Sequence, residues 1–423
     1  MRDKNEFDAI VVGSGTGGAT LARELSKSNK QVLMLERGAN APLKESIGGF
    51  ASIIDQVTVG KQLTTVRALT AGGSTGLYFG VVNYPPLDVF RALGIDLAPH
   101  VEEIRKELPV APLPDKLLGE QALRLRDGAR SLGHAWNKHD MLIDQDRAAD
   151  GYTHAALWRA RRYVEDAVEQ GASLVTRATV NRILVEGGKA IGVEYRVRKN
   201  MFASELRRAY GKKVVLAAGE LATPWMLRDC GIDGIGSRGF YCNPGYAIYG
   251  LVPGMQGRDN FVGSMGCVYD EDIELGDANI SRFLYRMMMP AKLKFRHAVS
   301  YPQAMAIGVK VKDGMGGGFR ADGRLHKDLT ESDYAKLKKG EDEALRILRK
   351  AGARHIFNFG LSCAGRIGGL VSIGEHVDAR LETRIRNLHV CDGSIIPDAM
   401  RGTPTLTLLS LARHLAKQLA PTL

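Results

Sequence analysis

A glycine-rich turn between an apolar strand and a helix constrains this chain more than any other sequence feature. Gly13, Gly15 and Gly18 follow an apolar run over residues 7–12. Glu36 ends a second apolar run about twenty residues further on, which is the spacing of a dinucleotide-binding βαβ unit. The glycines permit a tight turn, a close approach to a diphosphate and close helix packing, and the Glu36 carboxylate can accept hydrogen bonds from both ribose hydroxyls. The turn therefore predicts an α/β fold with a Rossmann-like parallel sheet.

Three later segments extend this pattern. Residues 67–80 read RALTAGGSTGLYFG, residues 214–232 read VVLAAGELATPWMLRDCGI, and residues 388–397 read LHVCDGSIIP, before Gly402-Thr403-Pro404-Thr405. In order and spacing, these segments and residues 8–38 resemble the glucose–methanol–choline (GMC) family of FAD-dependent oxidoreductases. The resemblance implies a short and divergent member of that family, with FAD as its cofactor.

The resemblance also implies which residues surround FAD. The loop 71–74 would lie near the isoalloxazine, the backbone of Val180 near the adenine, and Asp392 near a ribityl hydroxyl or a backbone nest. The implied cofactor residues are Gly13, Ser14, Gly15, Thr16, Gly18, Glu36, Arg37, Ala71, Gly72, Gly73, Ser74, Val180, Ala217, Ala218, Gly219, Asp392, Gly393, Thr403, Pro404 and Thr405. Independently, Thr403 is a good N-cap and Pro404 a good first helical residue, so the positive end of that helix should face the flavin pyrimidine.

The catalytic positions depart from the family pattern. Alcohol-oxidising members carry a His that takes the hydroxyl proton and a second His or Asn before a Pro. One alignment places Asn358 at the first position and another places Gly360 there, while Thr403 occupies the second. Asn and Thr can orient an oxygen, but a base needs a pKa near the working pH. His355, three residues before Asn358, is the alternative base.

Two further side chains near these segments bear on the chemistry. Tyr78 stands where the family often has Asn or His, so the covalent His–flavin link should be absent and FAD should be bound non-covalently. Glu220, beside the second glycine-rich segment, is a further candidate base. Five scattered cysteines show no ligand spacing, so no metal site is expected.

The length of 423 residues predicts more than one domain. We expect a discontinuous FAD-binding domain made of residues 1–90, 165–240 and 350–423. A trimmed substrate domain is then inserted as residues 91–164 and 241–349. The overall class is α/β, or α+β when the inserted domain is included.

The best functional interpretation is hydride transfer between an organic alcohol or carbonyl and flavin N5, by a dehydrogenase rather than an oxidase. A C–C desaturase or ene-reductase, which needs no alcohol base, is the alternative. The net charge of +11 suits a quinone at a membrane or an acidic electron-transfer protein as acceptor. A flavoprotein that binds nucleic acid is less favoured, because the Lys and Arg residues are dispersed.

The location predicted from the sequence is the cytoplasm, with peripheral contact at the inner face of a membrane as an option. No apolar run approaches the length of a membrane-spanning helix. Residues 282–296 mix cations with Met and aromatic side chains, which is typical of a substrate lid, of a surface resting on a membrane, or of core-facing Met beside solvated cations. The oligomeric state is left open.

Overall fold

Two large sheets organise the computed structural model, which describes residues 6–41, 43–200, 202–358, 360, 362–363 and 366–423. The strands, in chain order, are β1 (Glu6–Val12), β2 (Val32–Leu35), β3 (Ile54–Gly60), β4 (Leu63–Ala68), β5 (Val81–Val82), β6 (Val110–Pro112), β7 (Asn137–Lys138), β8 (Asp140–Leu142), β9 (Ser173–Val175), β10 (Ala178–Glu186), β11 (Lys189–Arg198), β12 (Ser204–Leu216), β13 (Pro244–Leu251), β14 (Met265–Asp270), β15 (Ile273–Asp277), β16 (Ala304–Val311), β17 (Gly318–Phe319), β18 (Leu325–His326), β19 (His355–Asn358), β20 (Ser362–Cys363) and β21 (Leu388–Val390).

The α-helices of the same residues surround and connect these sheets. They are α1 (Thr16–Lys27), α2 (Ile47–Ala51), α3 (Leu87–Ala92), α4 (Ala98–Glu107), α5 (Gly119–Ser131), α6 (Arg161–Glu169), α7 (Thr223–Asp229), α8 (Arg282–Ala291), α9 (Glu331–Lys350) and α10 (Thr405–Leu419). No helix in the described part of the chain has both the length and the apolar character needed to cross a bilayer.

The first sheet contains the predicted βαβ unit. Its strand order is β10-β11-β12-β1-β2-β9, and β21 also pairs with β12. β1 runs parallel to both β12 and β2, and β2 runs parallel to β9, so the carboxyl ends of these strands share one edge. Strands buried on both faces read as continuous apolar runs, as residues 9–12 and 32–35 do. The predicted Rossmann-like fold class is confirmed.

The second sheet is antiparallel, in the order β19-β13-β16-β15-β14-β7, with β20 also paired to β13. α9 packs on it and begins with a capping box of Thr330 and Asp333, in which each side chain accepts from the other's backbone N–H. Residues 350–363 are part of the segment 350–423 that the sequence assigns to the FAD-binding domain. The structure gives their strands β19 and β20 to this second sheet, because both pair with β13.

Buried polar contacts join the two halves of the molecule, which are the part around the first sheet and the part around the second sheet. The guanidinium of Arg366 donates to Asn243 Oδ1 at 3.1 Å and to the carbonyl of Met400. The Tyr241 hydroxyl donates to the carbonyl of Ile396 at 2.9 Å. Because these donors are buried, the partners satisfy them only when the halves keep this arrangement. The edge where β1, β12 and β21 end is thereby held against the second sheet.

Candidate active site

The three glycines of the first turn have different structural roles. Gly13 has φ +100°, and a Cβ there would lie 2.2 Å from the carbonyl oxygen of Ala217. A Cβ on Gly18 would lie 2.1 Å from the carbonyl oxygen of Gly13, so both positions exclude any side chain. A Cβ on Gly15 would meet no atom within 4 Å. The turn therefore leaves open space beside Gly15, at the N-terminus of α1.

Glu36 binds the glycine-rich turn from the end of β2. Its carboxylate accepts hydrogen bonds from the Ser14 backbone N–H at 3.1 Å, from the Ser14 hydroxyl at 2.7 Å and from the Gly38 N–H at 2.7 Å. A carboxylate has about four acceptor positions, so three of them serve the protein itself. Arg37, which sequence reasoning placed beside the cofactor, lies 3.4 Å from Asp55 in an ion pair.

The loop 71–74 packs directly on this turn. The Gly72 N–H donates to the carbonyl of Ser14 at 3.1 Å. A Cβ on Gly73 would lie 2.7 Å from Cα of Gly15. Gly72 and Gly73 also have φ values of +87° and +58°, in the region that favours glycine. Glycine is thus needed at positions 72 and 73 for the second loop to reach the first.

Asp392 joins the second glycine-rich segment to the segment after β21. Its buried carboxylate accepts from the Gly219 N–H at 2.9 Å, from the Thr223 hydroxyl, and from the Ser394 N–H and hydroxyl at 2.9 and 2.6 Å. Burial raises the pKa of Asp392, and these donors oppose that effect. Two of these donors are backbone N–H groups and two are hydroxyls, so Asp392 joins β21 to the segment 217–223.

Glu220 lies between these two segments. A Cβ on Gly393 would lie 2.1 Å from its carboxylate oxygen, so the two residues are in direct contact. Burial raises the pKa of Glu220 to about 7, and the nearby Asp392 carboxylate adds to this effect while Arg67 and Arg366 oppose it. Glu220 is therefore a carboxyl group that changes charge close to neutral pH.

The start of α10 differs from the predicted cap. The helix begins at Thr405, Pro404 occupies the N-cap position, and no side chain caps it. Thr403 instead donates its hydroxyl to the carbonyl of Val81 at 2.6 Å, while its N–H donates to Asn83 Oδ1 at 2.8 Å. Bound to β5 in this way, Thr403 cannot reach the first turn of the helix. The expectation that Thr403 caps α10 is wrong.

Most of the other predicted cofactor residues share one edge of the first sheet. Ala217 follows β12 and donates its N–H to Val12, and Ala218 donates to the Thr223 hydroxyl at 3.2 Å. Val180 lies further along, in β10 opposite Tyr195, where the register shifts. The segments 13–18, 71–74, 217–219 and 392–405 are thus assembled around the N-termini of α1 and α10.

The structure does not bring the three predicted catalytic residues together. Asn358 is exposed, and its amide donates to Glu341 at 3.2 Å. His355 is also exposed, with its ring centroid 5.1 Å from that of His297. Thr403 is hydrogen-bonded to Val81 of β5, as described above. Gly360 is exposed, and its segment neighbours Phe359, Leu361, Ala364 and Gly365 lie outside the described residues.

A pocket that sequence reasoning missed opens beside the loop 71–74. It is lined by Glu45, Phe50, Gly76, Leu77, Tyr78, Phe79, Tyr152, His154, Leu157, Phe261, Val262 and Leu284. The Glu45 carboxylate accepts hydrogen bonds from the Tyr152 hydroxyl at 3.1 Å and from the Ser281 hydroxyl. The pocket thus combines apolar walls with a fixed carboxylate, the usual composition of a small-molecule site.

His154 supplies the second polar group of this pocket. Its Nε2 lies 2.6 Å from the guanidinium of Arg159, which can only donate, so Nε2 is the acceptor and Nδ1 carries the proton. Burial and the Arg159 charge lower the pKa of His154 to about 4. At neutral pH this side chain is therefore a neutral hydrogen-bond donor through Nδ1.

Arg159 and Thr75 connect the pocket to the glycine-rich loops. Arg159 donates to the carbonyl of Thr75 at 2.7 Å, and the Thr75 hydroxyl donates to the carbonyl of Gly72 at 2.7 Å. The Ala160 N–H donates back to the Thr75 hydroxyl at 3.0 Å. The imidazole of His154 and the glycine-rich turn at Ser14 are therefore joined by one continuous series of hydrogen bonds.

The donors and open space at this edge fit FAD. Space beside Gly15 suits a diphosphate, and the N-terminus of α1 has no acidic residue in its first turn and no side-chain cap. The N-terminus of α10 likewise has no acid or side-chain cap, which suits the negative edge of a flavin. In the described part of the chain, no group of three or more His, Cys, Asp or Glu side chains could hold a metal ion.

The comparisons with known proteins agree with this geometry. An uncharacterized GMC-type oxidoreductase of Mycobacterium tuberculosis is 29% identical over 254 residues, which are 54% of this chain and 39% of that protein. The chain thus spans less than half the length of this relative. Long-chain-alcohol oxidase FAO3 of Arabidopsis thaliana is 23% identical over 98% of this chain and 68% of its own length. Pyridoxine 4-oxidase from Mesorbium loti superposes with a TM-score of 0.73 at 16% identity, over 97% of this chain and 99% of its own.

A family profile described as GMC oxidoreductase matches residues 7–238, more than half of the chain. This match confirms the family predicted from the four segments and, with it, FAD as the cofactor. The chain belongs to the GMC oxidoreductase family.

Proposed function

We propose that the chain oxidises a small, largely apolar alcohol to its carbonyl, or performs the reverse reaction. The observation that carries this proposal is the carboxylate of Glu45, held by Tyr152 and Ser281 in an apolar pocket beside the loop 71–74. FAD, when bound, supplies the acceptor for the hydride. The pocket supplies the other requirement of alcohol oxidation, which is a group that takes the hydroxyl proton.

Each polar residue of the pocket has a distinct role in this proposal. Glu45 accepts the substrate hydroxyl proton at a carboxylate oxygen. Tyr152 and Ser281 keep that carboxylate in one orientation, which a base needs in order to act on a bound substrate. His154 donates from Nδ1 to the substrate oxygen and cannot compete for the proton at neutral pH, because its pKa is about 4. Phe50 and Phe261 exclude water from the reacting group.

We propose non-covalent FAD, because Tyr78 occupies the position where the family's covalent His would stand. The Tyr78 hydroxyl donates to the carbonyl of Trp158. Burial raises the pKa of Tyr78 above its usual range, so it stays a neutral phenol. Heat or acid precipitation should then release all the flavin into the supernatant.

We propose a dehydrogenase that passes electrons to a quinone or an acidic electron-transfer protein, and a cytoplasmic location. The net charge of +11 supports this choice, since a basic surface attracts acidic partners and anionic membranes. Scattered cysteines suit a reducing compartment. Reoxidation of the reduced enzyme should be much faster with a soluble quinone than with oxygen. Equal rates with quinone and with oxygen would indicate an oxidase and contradict the proposed dehydrogenase.

Anaerobic titration of the purified yellow protein tests the substrate class. Alcohols, ketones and enones of increasing apolar size are added, and the flavin absorbance is recorded. Bleaching by alcohols is the expected result. Bleaching only by a saturated ketone, with an enone as product, would indicate a desaturase. A flavin that dithionite reduces but no organic substrate reduces would contradict the proposal.

A further inference from the structure

A basic and apolar tip follows α8. We define the tip as residues 292–299, in which Leu293, Phe295 and Val299 leave 79%, 64% and 80% of their area exposed. Three large apolar side chains exposed within seven residues form a patch of the kind that soluble surfaces avoid. The patch therefore indicates contact with an apolar partner.

The backbone conformation at Leu293 disfavours a leucine at this position. Leu293 has φ +56° at the turn that ends α8, where its N–H donates to the carbonyl of Pro290 at 2.9 Å. This left-handed position ordinarily holds Gly, and a leucine there is strained. Folding alone would favour a glycine, so the apolar side chain at this position indicates a role outside the fold.

The charge around the tip has one sign. Residues 281–300 contain five cations and no Asp or Glu. Lys292, Lys294 and Arg296 of the tip form no ion pair with any residue that the structure describes. Exposed leucine, phenylalanine and valine between unpaired cations are the side chains of a segment that rests on an anionic lipid surface.

We propose that the tip docks the protein on an anionic bilayer, with Leu293, Phe295 and Val299 in the headgroup region and the cations on lipid phosphates. The buried face of α8 supports the tip, because Tyr285 and Met289 pack with Tyr249 and Tyr301 in one cluster. The membrane is chosen over an acidic protein because the exposed apolar area accompanies the charge.

The same helix joins the tip to the pocket. Leu284 lines the pocket, and Phe283 stacks on Phe50 with ring centroids 5.7 Å apart. Leu284 and Ala291 are seven residues apart in one helix, which at about 1.5 Å per residue is about 10 Å. A docked tip would therefore admit a membrane-dissolved alcohol to the pocket. This second step rests on the proposed function, whereas docking itself does not.

Flotation of the holoprotein with vesicles tests docking separately from activity. Vesicles of phosphatidylcholine alone are compared with vesicles that also contain phosphatidylglycerol, at physiological salt. Binding to the anionic vesicles only is expected. The triple variant Lys292→Ala/Lys294→Ala/Arg296→Ala should bind about a hundredfold more weakly. Leu293→Gly, which also relieves the positive φ, should bind about tenfold more weakly while remaining folded.

Matched variants decide whether the tip is the cause. The triple change Lys61→Ala/Lys116→Ala/Lys350→Ala removes the same charge from exposed sites elsewhere and should leave vesicle binding unchanged. Phe202→Ser, at a position 95% exposed, is the control for Phe295→Ser. The proposal would be overturned if the control triple variant lost as much vesicle binding as the tip variant, or if the native protein did not bind anionic vesicles. It would also be overturned by a dimer in solution that Leu293→Gly dissociates. Vesicle binding without any substrate oxidation would support the docking proposal and contradict only the proposed function.

Discussion

The backbone nitrogen of Gly219 lies 2.9 Å from the carboxylate of Asp392, although 173 positions separate the two residues. Replacing Asp392 with Ala leaves the buried donors of Gly219, Thr223 and Ser394 without an acceptor. We expect the free energy of unfolding in urea to fall by about 3 kcal/mol and FAD retention to fall with it. Asp88→Ala, at an exposed position, should change stability by less than about 0.5 kcal/mol.

Gly13 and Gly15 should respond differently to the same substitution. Gly15→Val should fold with nearly the native circular dichroism and melting temperature but contain no flavin, because Cβ at Gly15 enters open space. Gly13→Val should lose both the native fold and the flavin, since its Cβ overlaps the carbonyl of Ala217. Flavin absorbance per protein and thermal melting distinguish these results. Full flavin content in Gly15→Val would place the diphosphate elsewhere.

Substitutions of Glu45 and of Asn358 should affect the rate of flavin reduction very differently. Glu45→Gln should slow flavin reduction by an active alcohol about a hundredfold or more, because it removes the proton acceptor and keeps the shape. Asn358→Ala should change that rate less than about twofold, since losing an exposed hydrogen bond to Glu341 costs little. Stopped-flow absorbance under anaerobic conditions measures both rates. A large loss in Asn358→Ala with a native rate in Glu45→Gln would restore Asn358 as the orienting residue.

The pH dependence of flavin reduction should show no step that depends on His355 near about 6.5, the usual pKa of His. His154 stays neutral above pH 5, because burial and Arg159 hold its pKa near 4. His355→Ala should therefore leave both the rate and the profile unchanged. A step near 6.5 that disappears only in His355→Ala would make His355 the base.

Glu220 makes the stability of the flavin-free protein depend on pH. Its pKa is raised from 4.5 to about 7 in the folded chain. Between these values the folded state holds a proton that the unfolded state has released, so stability falls as pH rises from about 4.5 to about 7. The full effect is up to about 3 kcal/mol. Glu220→Gln should remove this slope, whereas Glu331→Gln, at an exposed position, should preserve it; equal slopes in all three proteins would exclude the shift.

The parts of the site that depend on local sequence were predictable. The turn at Gly13 and the parallel pairing of β1 with β2 both follow from residues close in sequence. The pocket was not predictable, because Glu45, Tyr152 and Ser281 come from three distant segments without any motif. Aligning Asn358 with a family position identified a place in the sequence. The environment of that side chain depends on β19 pairing with β13, which no local pattern indicates.

The closure of the first sheet by β21 also dictates when this protein can fold during synthesis. A Cβ on Gly17 would lie 2.1 Å from the carbonyl oxygen of Cys391, so the first helix rests on a segment made almost a whole chain later. Translation between them takes on the order of tens of seconds at about 5–20 residues per second. Throughout that interval the apolar strands β1 and β2 lack β21 and α10, and for about its first half they also lack β12. Yield in a heterologous host should therefore depend on chaperone supply and translation speed, even for variants whose equilibrium stability is native.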